Sequence, residues 1–210
     1  MSTATPGPRT GARRGPYRKS AARRSQIVAA AMDAFAANGY RAGSLKDIAE
    51  RVGIDQSTIF HYFATKEALL LEVMEARDRA ADELIASLHP ETAEDVPRVL
   101  LELARHNANT PGVIELYSVL AAESLTPDHP LSEYFRNRTR RLREGFSAWF
   151  TLLDEAGRLR AGVTPADAAA AFLALWEGAQ VHWLMDRDAV DVTEQLAQYL
   201  RLVVVDVRVD

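Results

Sequence analysis

Residues 44–70 read SLKDIAERVGIDQSTIFHYFATKEALL. Ser44 is suited to cap a helix, and Asp47, three residues on, supplies the carboxylate of a capping box. Leu45, Ile48, Ala49 and Val52 then recur at helical spacing and form one apolar face. Gly53 follows at once, where a left-handed backbone would end the helix in a sharp turn. Asp55 is placed to cap a second helix, expected over Gln56–Phe63, which carries Ile59, Phe60 and Phe63. Thr65 then opens a third, longer helix. Two short helices joined at a glycine turn are the sequence form of a helix-turn-helix, with the second helix as the reading element.

Charge separates this region from the rest of the chain. The first 66 residues hold eleven Lys or Arg and four Asp or Glu, a net of +7. The remaining residues sum to −11, so the overall formal charge of −4 hides a basic head on an acidic body. Charge gathered at one end points to an anionic partner met by that end alone. DNA phosphate fits, because cations that displace its counterions gain free energy.

The stretch from about Ile27 to Leu70 resembles the DNA-binding domain of TetR-type transcriptional regulators. The resemblance rests on Ile27, Ala31 and Phe35 with Gly39-Tyr40, on Asp47-Ile48-Ala49 and Val52-Gly53-Ile54, on Ser57 to Phe63, and on Lys66 to Leu70. It implies an all-α fold: an N-terminal three-helix domain containing the helix-turn-helix, then a larger helical domain for ligand binding and dimerisation. It further implies that Ser44, Tyr62 and Lys66 anchor phosphates. Many relatives carry a tyrosine where this chain has Phe60, so that one phosphate contact is in doubt. Independently of the resemblance, Gln56, Ser57, Thr58 and His61 lie along the outer face of the reading helix. Gln can pair with adenine and Thr can meet a phosphate or a thymine methyl. With Arg23 these complete the expected DNA-binding set.

The 210 residues suffice for one larger or two small domains with a proper core. Cysteine is absent, which removes disulfides, thiolate nucleophiles and thiolate metal sites. The longest strictly apolar run, residues 168–176, is far too short to span a bilayer. The first 24 residues hold seven Lys or Arg, no acid and no apolar secretory core. Prolines and glycines there break the amphipathic helix of a transit peptide, so residues 1–19 are expected to form a disordered basic arm. The expected setting is cytoplasmic.

The expected division is a helix-turn-helix domain over 20–66 and a helical body over 67–210. The first helix should run from Ser20 to Asn38, with Ile27, Ala31, Ala34 and Phe35 inward. Breakers divide the body into helices near Glu94–Ala108, Gly112–Ser124, Pro130–Glu155, Pro165–Met185 and Val192–Val205. The tail Val203–Val207 has strand propensity but fits helical spacing better. The Pro165–Met185 helix is apolar on two sides and must be buried on both, within its own domain or against a second copy. Phe172, Trp183, Leu196, Leu200 and Val203 are the expected dimer contacts.

Leu103, Asn107, Tyr117, Phe146, Trp149, Trp176 and Gln180 are the expected pocket, suited to a mainly apolar small molecule with one or two polar ends. Glu177, Gln180 and His182 interrupt apolar surface and would serve either as interface hydrogen bonds or as ligand anchors. The arginine run from Arg136 to Arg143 reads as a solvated face. No nucleophile elbow, phosphate loop or dinucleotide fingerprint occurs, and neither catalytic residues, a cofactor nor a metal is expected. The reading is a homodimeric, ligand-responsive repressor of a palindromic operator. The alternative is a helical small-molecule-binding protein whose DNA affinity is incidental.

Overall fold

The computed structural model describes residues 15–207, with side chains from Arg18 onward. Among these residues the fold is all-α, in nine helices. They are α1 (Gly15–Ala42), α2 (Leu45–Val52), α3 (Gln56–Tyr62), α4 (Lys66–Ser87), α5 (Asp95–Ala108), α6 (Pro111–Glu123), α7 (Ser132–Glu155), α8 (Pro165–Met185) and α9 (Val192–Val203). Of the expected arm, residues 1–14 lie outside the described residues, and Gly15–Lys19 form the first turn of α1. Gly39 breaks α1 at φ 73°, ψ 162°, one turn before its end.

Local signals hold α2 to α4 in place. Ser44 Oγ accepts from the Lys46 and Asp47 amides at 3.1 and 3.2 Å. Gly53, at φ 69°, turns its amide back to Ala49 and Glu50. Thr65 Oγ1 accepts from the Ala68 amide at 3.1 Å. Asp55 departs from expectation. Its side chain makes no capping hydrogen bond, and the first turn of α3 closes only through its carbonyl, which accepts from the Thr58 amide at 2.9 Å.

Two apolar cores form, and they do not divide at Lys66. The first joins Ile27, Ala31, Ala34 and Phe35 of α1, Ile48 of α2, Ile59 of α3, and Leu69, Leu70, Val73 and Met74 of α4. It also takes Leu116, Tyr117 and Leu120 of α6 with Leu131 and Phe135 at the start of α7. The second joins α5, the later part of α7, α8 and α9, and receives Leu84 and Ile85 from the far end of α4. Helix α4 therefore belongs to both cores, and α6 packs on the head. Sequence spacing alone cannot show this, because the α6 stripe does not say which helix it covers.

The tail is corrected. Helix α9 stops at Val203, and Val204 forms an antiparallel bridge with Leu159. The Arg160 amide donates to Val203 O at 2.9 Å and the Val205 amide to Arg158 O at 2.7 Å. The Arg158 guanidinium also donates to Val205 O and Asp206 O. A β-branched run follows its strand propensity once a partner backbone lies alongside.

Candidate nucleic-acid interface and effector cavity

Helix α3 is fastened by two side chains. Ile59 and Phe63 are 1% and 4% exposed, which leaves Gln56, Ser57 and His61 outward and Thr58 half-buried beside them. Phe60 also faces outward, at 47% exposure. The Tyr62 ring meets His61 edge-on at 5.5 Å and shares a surface cleft with Lys19, Ser20, Arg23 and Gln26 of α1. Thus α1 and α3 present one continuous polar edge. Arg24 pairs with Glu72 and sits 4.8 Å from the centre of the Phe63 ring, tying α1 to α3 and α4.

Two residues of the expected DNA-binding set carry structural duties as well. Arg23 Nη1 donates to Val52 O at 3.4 Å, at the C-terminus of α2. Lys66 Nζ donates to Tyr40 O at 2.6 Å and lies 4.5 Å from the Tyr40 ring centre. Burial pushes the Lys66 pKa below its ordinary value. Burial, then the hydrogen bond from its hydroxyl to Glu67, raises Tyr40 to about 12.

A cavity of about 390 Å³ lies between α4, α5, α6, α7 and α8. Leu103, Asn107, Tyr117, Phe146, Trp149, Trp176 and Gln180 all stand on its wall. One end is aromatic: Phe146 and Trp176 stack at 5.8 Å and 10°, with Trp149 6.0 Å from Phe146. The other end is polar and lies where the two cores meet. There Arg138 Nε donates to Asp78 Oδ1 at 2.8 Å, and Tyr134 and Arg141 both donate to Asp78 Oδ2 at 2.9 Å. Arg138 Nη1 donates to the Tyr117 hydroxyl at 2.8 Å, and that hydroxyl donates to Glu177 at 3.1 Å. The chain of contacts crosses α4, α7, α6 and α8. Arg77 and Arg138 each stand 4.6 Å from the centre of the Tyr117 ring. Burial raises Tyr117 to about 12. Burial, then the Arg138 charge, lowers Arg77.

Two buried side-chain atoms on this wall have no hydrogen-bond partner, Arg77 Nη1 and Gln180 Nε2. The sequence reading missed Arg77, Asp78, Tyr134, Arg138 and Arg141, and it took Arg138 for solvated surface. Arg138 is 8% exposed. The available signal was its place on the α7 stripe of Phe135, Leu142 and Phe146, which a solvated arginine would avoid. His182, by contrast, is exposed.

Four of the five expected dimer contacts are buried within the protomer. Phe172, Leu196 and Leu200 are 0% exposed and Val203 is 9%, all inside the second core. Trp183 is half-buried, with the Arg187 guanidinium 5.3 Å from its ring centre. These strongly apolar side chains were claimed by α5, α7 and α8 of the same protomer. The outward face of α8 instead carries Ala170, Ala174, Gly178, Val181 and Met185.

Residues 27–73 match the sequence model of the bacterial regulatory proteins of the tetR family. Residues 27–73 thus carry a TetR-type DNA-binding segment. The helix-turn-helix regulator PksA of Bacillus subtilis is 25% identical over 169 residues, covering 78% of this chain and 80% of PksA. The activator FasR of Mycolicibacterium smegmatis is 32% identical over 81 residues, covering 39% of this chain and 36% of FasR. A structure from Saccharomonospora viridis solved in complex with choline superposes with a TM-score of 0.73 at 24% identity. That superposition covers 88% of this chain and 98% of the other. The match to FasR spans about a third of its length, whereas the likeness of fold extends through the body.

Proposed function

We propose that this TetR-family chain is a ligand-responsive repressor that binds a palindromic DNA site as a homodimer. The observation that carries the reading is the outward edge of Gln56, Ser57 and His61 on a helix locked from behind by Ile59 and Phe63. It stands in a segment of net charge +7. Side chains on the N-terminal half of such a helix reach base edges, while Ser44, Tyr62, Arg23 and Lys66 set its register on phosphates. Two copies pair through the small, outward-facing side chains of α8, which allow close helix approach, and two-fold pairing yields a two-fold symmetric site. Occupying the operator excludes other proteins and needs no further activating surface. No helix among the described residues is long and apolar enough to cross a membrane.

The cavity supplies the response. Helix α4 joins the core beneath α3 to the cavity wall at Arg77 and Asp78. A ligand that prefers one placement of α4 shifts the spacing of the two heads by its differential affinity, and only by that amount.

Gln56→Ala combined with Thr58→Ala tests the DNA reading. Site-specific binding should fall at least a hundredfold, while helicity, self-association and ligand binding stay at parent values. Unchanged affinity for the site would overturn the assignment and favour a small-molecule-binding protein with incidental DNA affinity.

A further inference from the structure

The cavity wall carries Asp78, Asp82 and Glu177 beside Arg77, Arg138 and Arg141, yet two of its donors have no acceptor. Arg77 Nη1 and Gln180 Nε2 each carry two hydrogens, are buried, and have no partner. Gln180 is 5% exposed and the Arg77 side chain 11%. Buried donors without partners are costly, so a cavity whose lining residues keep two of them is suited to an acceptor. Of the carboxylates nearby, Asp78 accepts from Arg138, Tyr134 and Arg141, and Glu177 Oε1 accepts from Tyr117, while neither Glu177 nor Asp82 bonds Arg77 or Gln180. Asp78 approaches Arg77 Nη1 only to 3.6 Å, beyond a hydrogen bond. Arg77 also feels the like charge of Arg138, which stands at the same 4.6 Å from the centre of the Tyr117 ring.

From these contacts we infer that the effector is an amphiphile with a carboxylate head, held by Arg77 and Gln180, and an apolar body against Phe146, Trp149 and Trp176. The inference rests on the reading of this cavity as the effector site. A carboxylate has two oxygens for the two donors, and its charge offsets the crowding of Arg77 by Arg138. The aromatic end takes the body without any polar demand. The volume of about 390 Å³ admits roughly a dozen heavy atoms at the ~30 Å³ each takes in liquid water. Because Arg77 lies on α4, the head group binds to the helix that reaches the DNA-binding core.

The test compares decanoate, 1-decanol and decylamine, each below its micelle onset, by quenching of tryptophan emission in the full chain. Trp149 and Trp176 on the wall report occupancy. Decanoate should bind at least tenfold more tightly than either analogue. Arg77→Met should bring decanoate down to the decanol level and leave decanol unchanged. Gln180→Leu should cost decanoate several-fold and provides a second variant should Arg77→Met fold poorly. Decanol or decylamine binding as tightly as decanoate, and releasing DNA, would overturn the carboxylate assignment while leaving the effector cavity intact. No change in emission with any of the three would overturn both.

Discussion

Gly112 lies so close to Ala36 that a Cβ on it would come within 2.7 Å of the Ala36 carbonyl oxygen. This is the seat of α6 on α1, where the body meets the head. The neighbouring atom is backbone and cannot swing aside. Gly112→Ala should therefore cost about 1–3 kcal/mol by overpacking. Urea unfolding checks the cost. If the two halves communicate through this joint, ligand should also release DNA less completely from the variant.

Asp78 holds three donors from α7 at the junction of the two cores. Its side chain is 12% exposed and that of Arg138 10%. Asp78→Asn leaves a buried guanidinium without its counter-charge, and should cost about 3–5 kcal/mol in urea unfolding. Glu50→Gln breaks the exposed Lys46–Glu50 pair and should cost less than about 1 kcal/mol. Equal losses in the two variants would show that the junction is not held by charge.

Much of this arrangement was legible in the sequence, and the limits have physical causes. Ser44, Gly53 and Thr65 act within a few residues of themselves, so their roles could be read directly. Ile27, Phe35, Ile59 and Phe63 fill a core whose periodicity is local. The pocket residues also came together, because aromatic and polar groups on apolar stripes have few other places to go. The dimer contacts did not. A helix apolar on two sides does not state which side its own protomer takes, and Phe172, Leu196 and Leu200 went to the interior. Arg138 was hidden for a related reason: its partner Asp78 lies 60 residues away.

Gly178 is open, with nothing within 4 Å of an added Cβ. Gly178→Glu should keep or raise protomer helicity, since glycine is the weaker helix former by several tenths of a kcal/mol. It would also place a charge in the proposed α8 interface. Light scattering should show a monomer where the parent is a dimer. A dimer that survives the change would move the interface off this face.

Tyr117 gives a pH signature. Its folded pKa is about 12, against about 10 in the unfolded chain. The native state keeps the phenol proton over a range where the unfolded chain has lost it. Its contribution is therefore complete below about pH 10 and is lost as the pH rises towards about 12. Urea unfolding between pH 8 and 11 should show stability falling more steeply in the parent than in Tyr117→Phe. Parallel curves would remove Tyr117 from the account.

Asp55 stands exposed at the start of α3 without capping it. In the DNA complex its charge opposes phosphate, an effect of about 1 kcal/mol for a solvated pair near 4 Å. Asp55→Asn should strengthen DNA binding several-fold, most clearly at low salt. Weaker binding would mean that the carboxylate accepts a hydrogen bond from the DNA or completes the cap when bound.

The most direct measurement is selection of bound sequences from random duplex DNA by the purified protein, followed by a salt titration of the winning site. The account predicts a palindromic consensus whose affinity falls steeply with salt, as several phosphate contacts on each head require. Weak binding without a consensus, and with a shallow salt dependence, would contradict it and leave the basic head as a general polyanion surface.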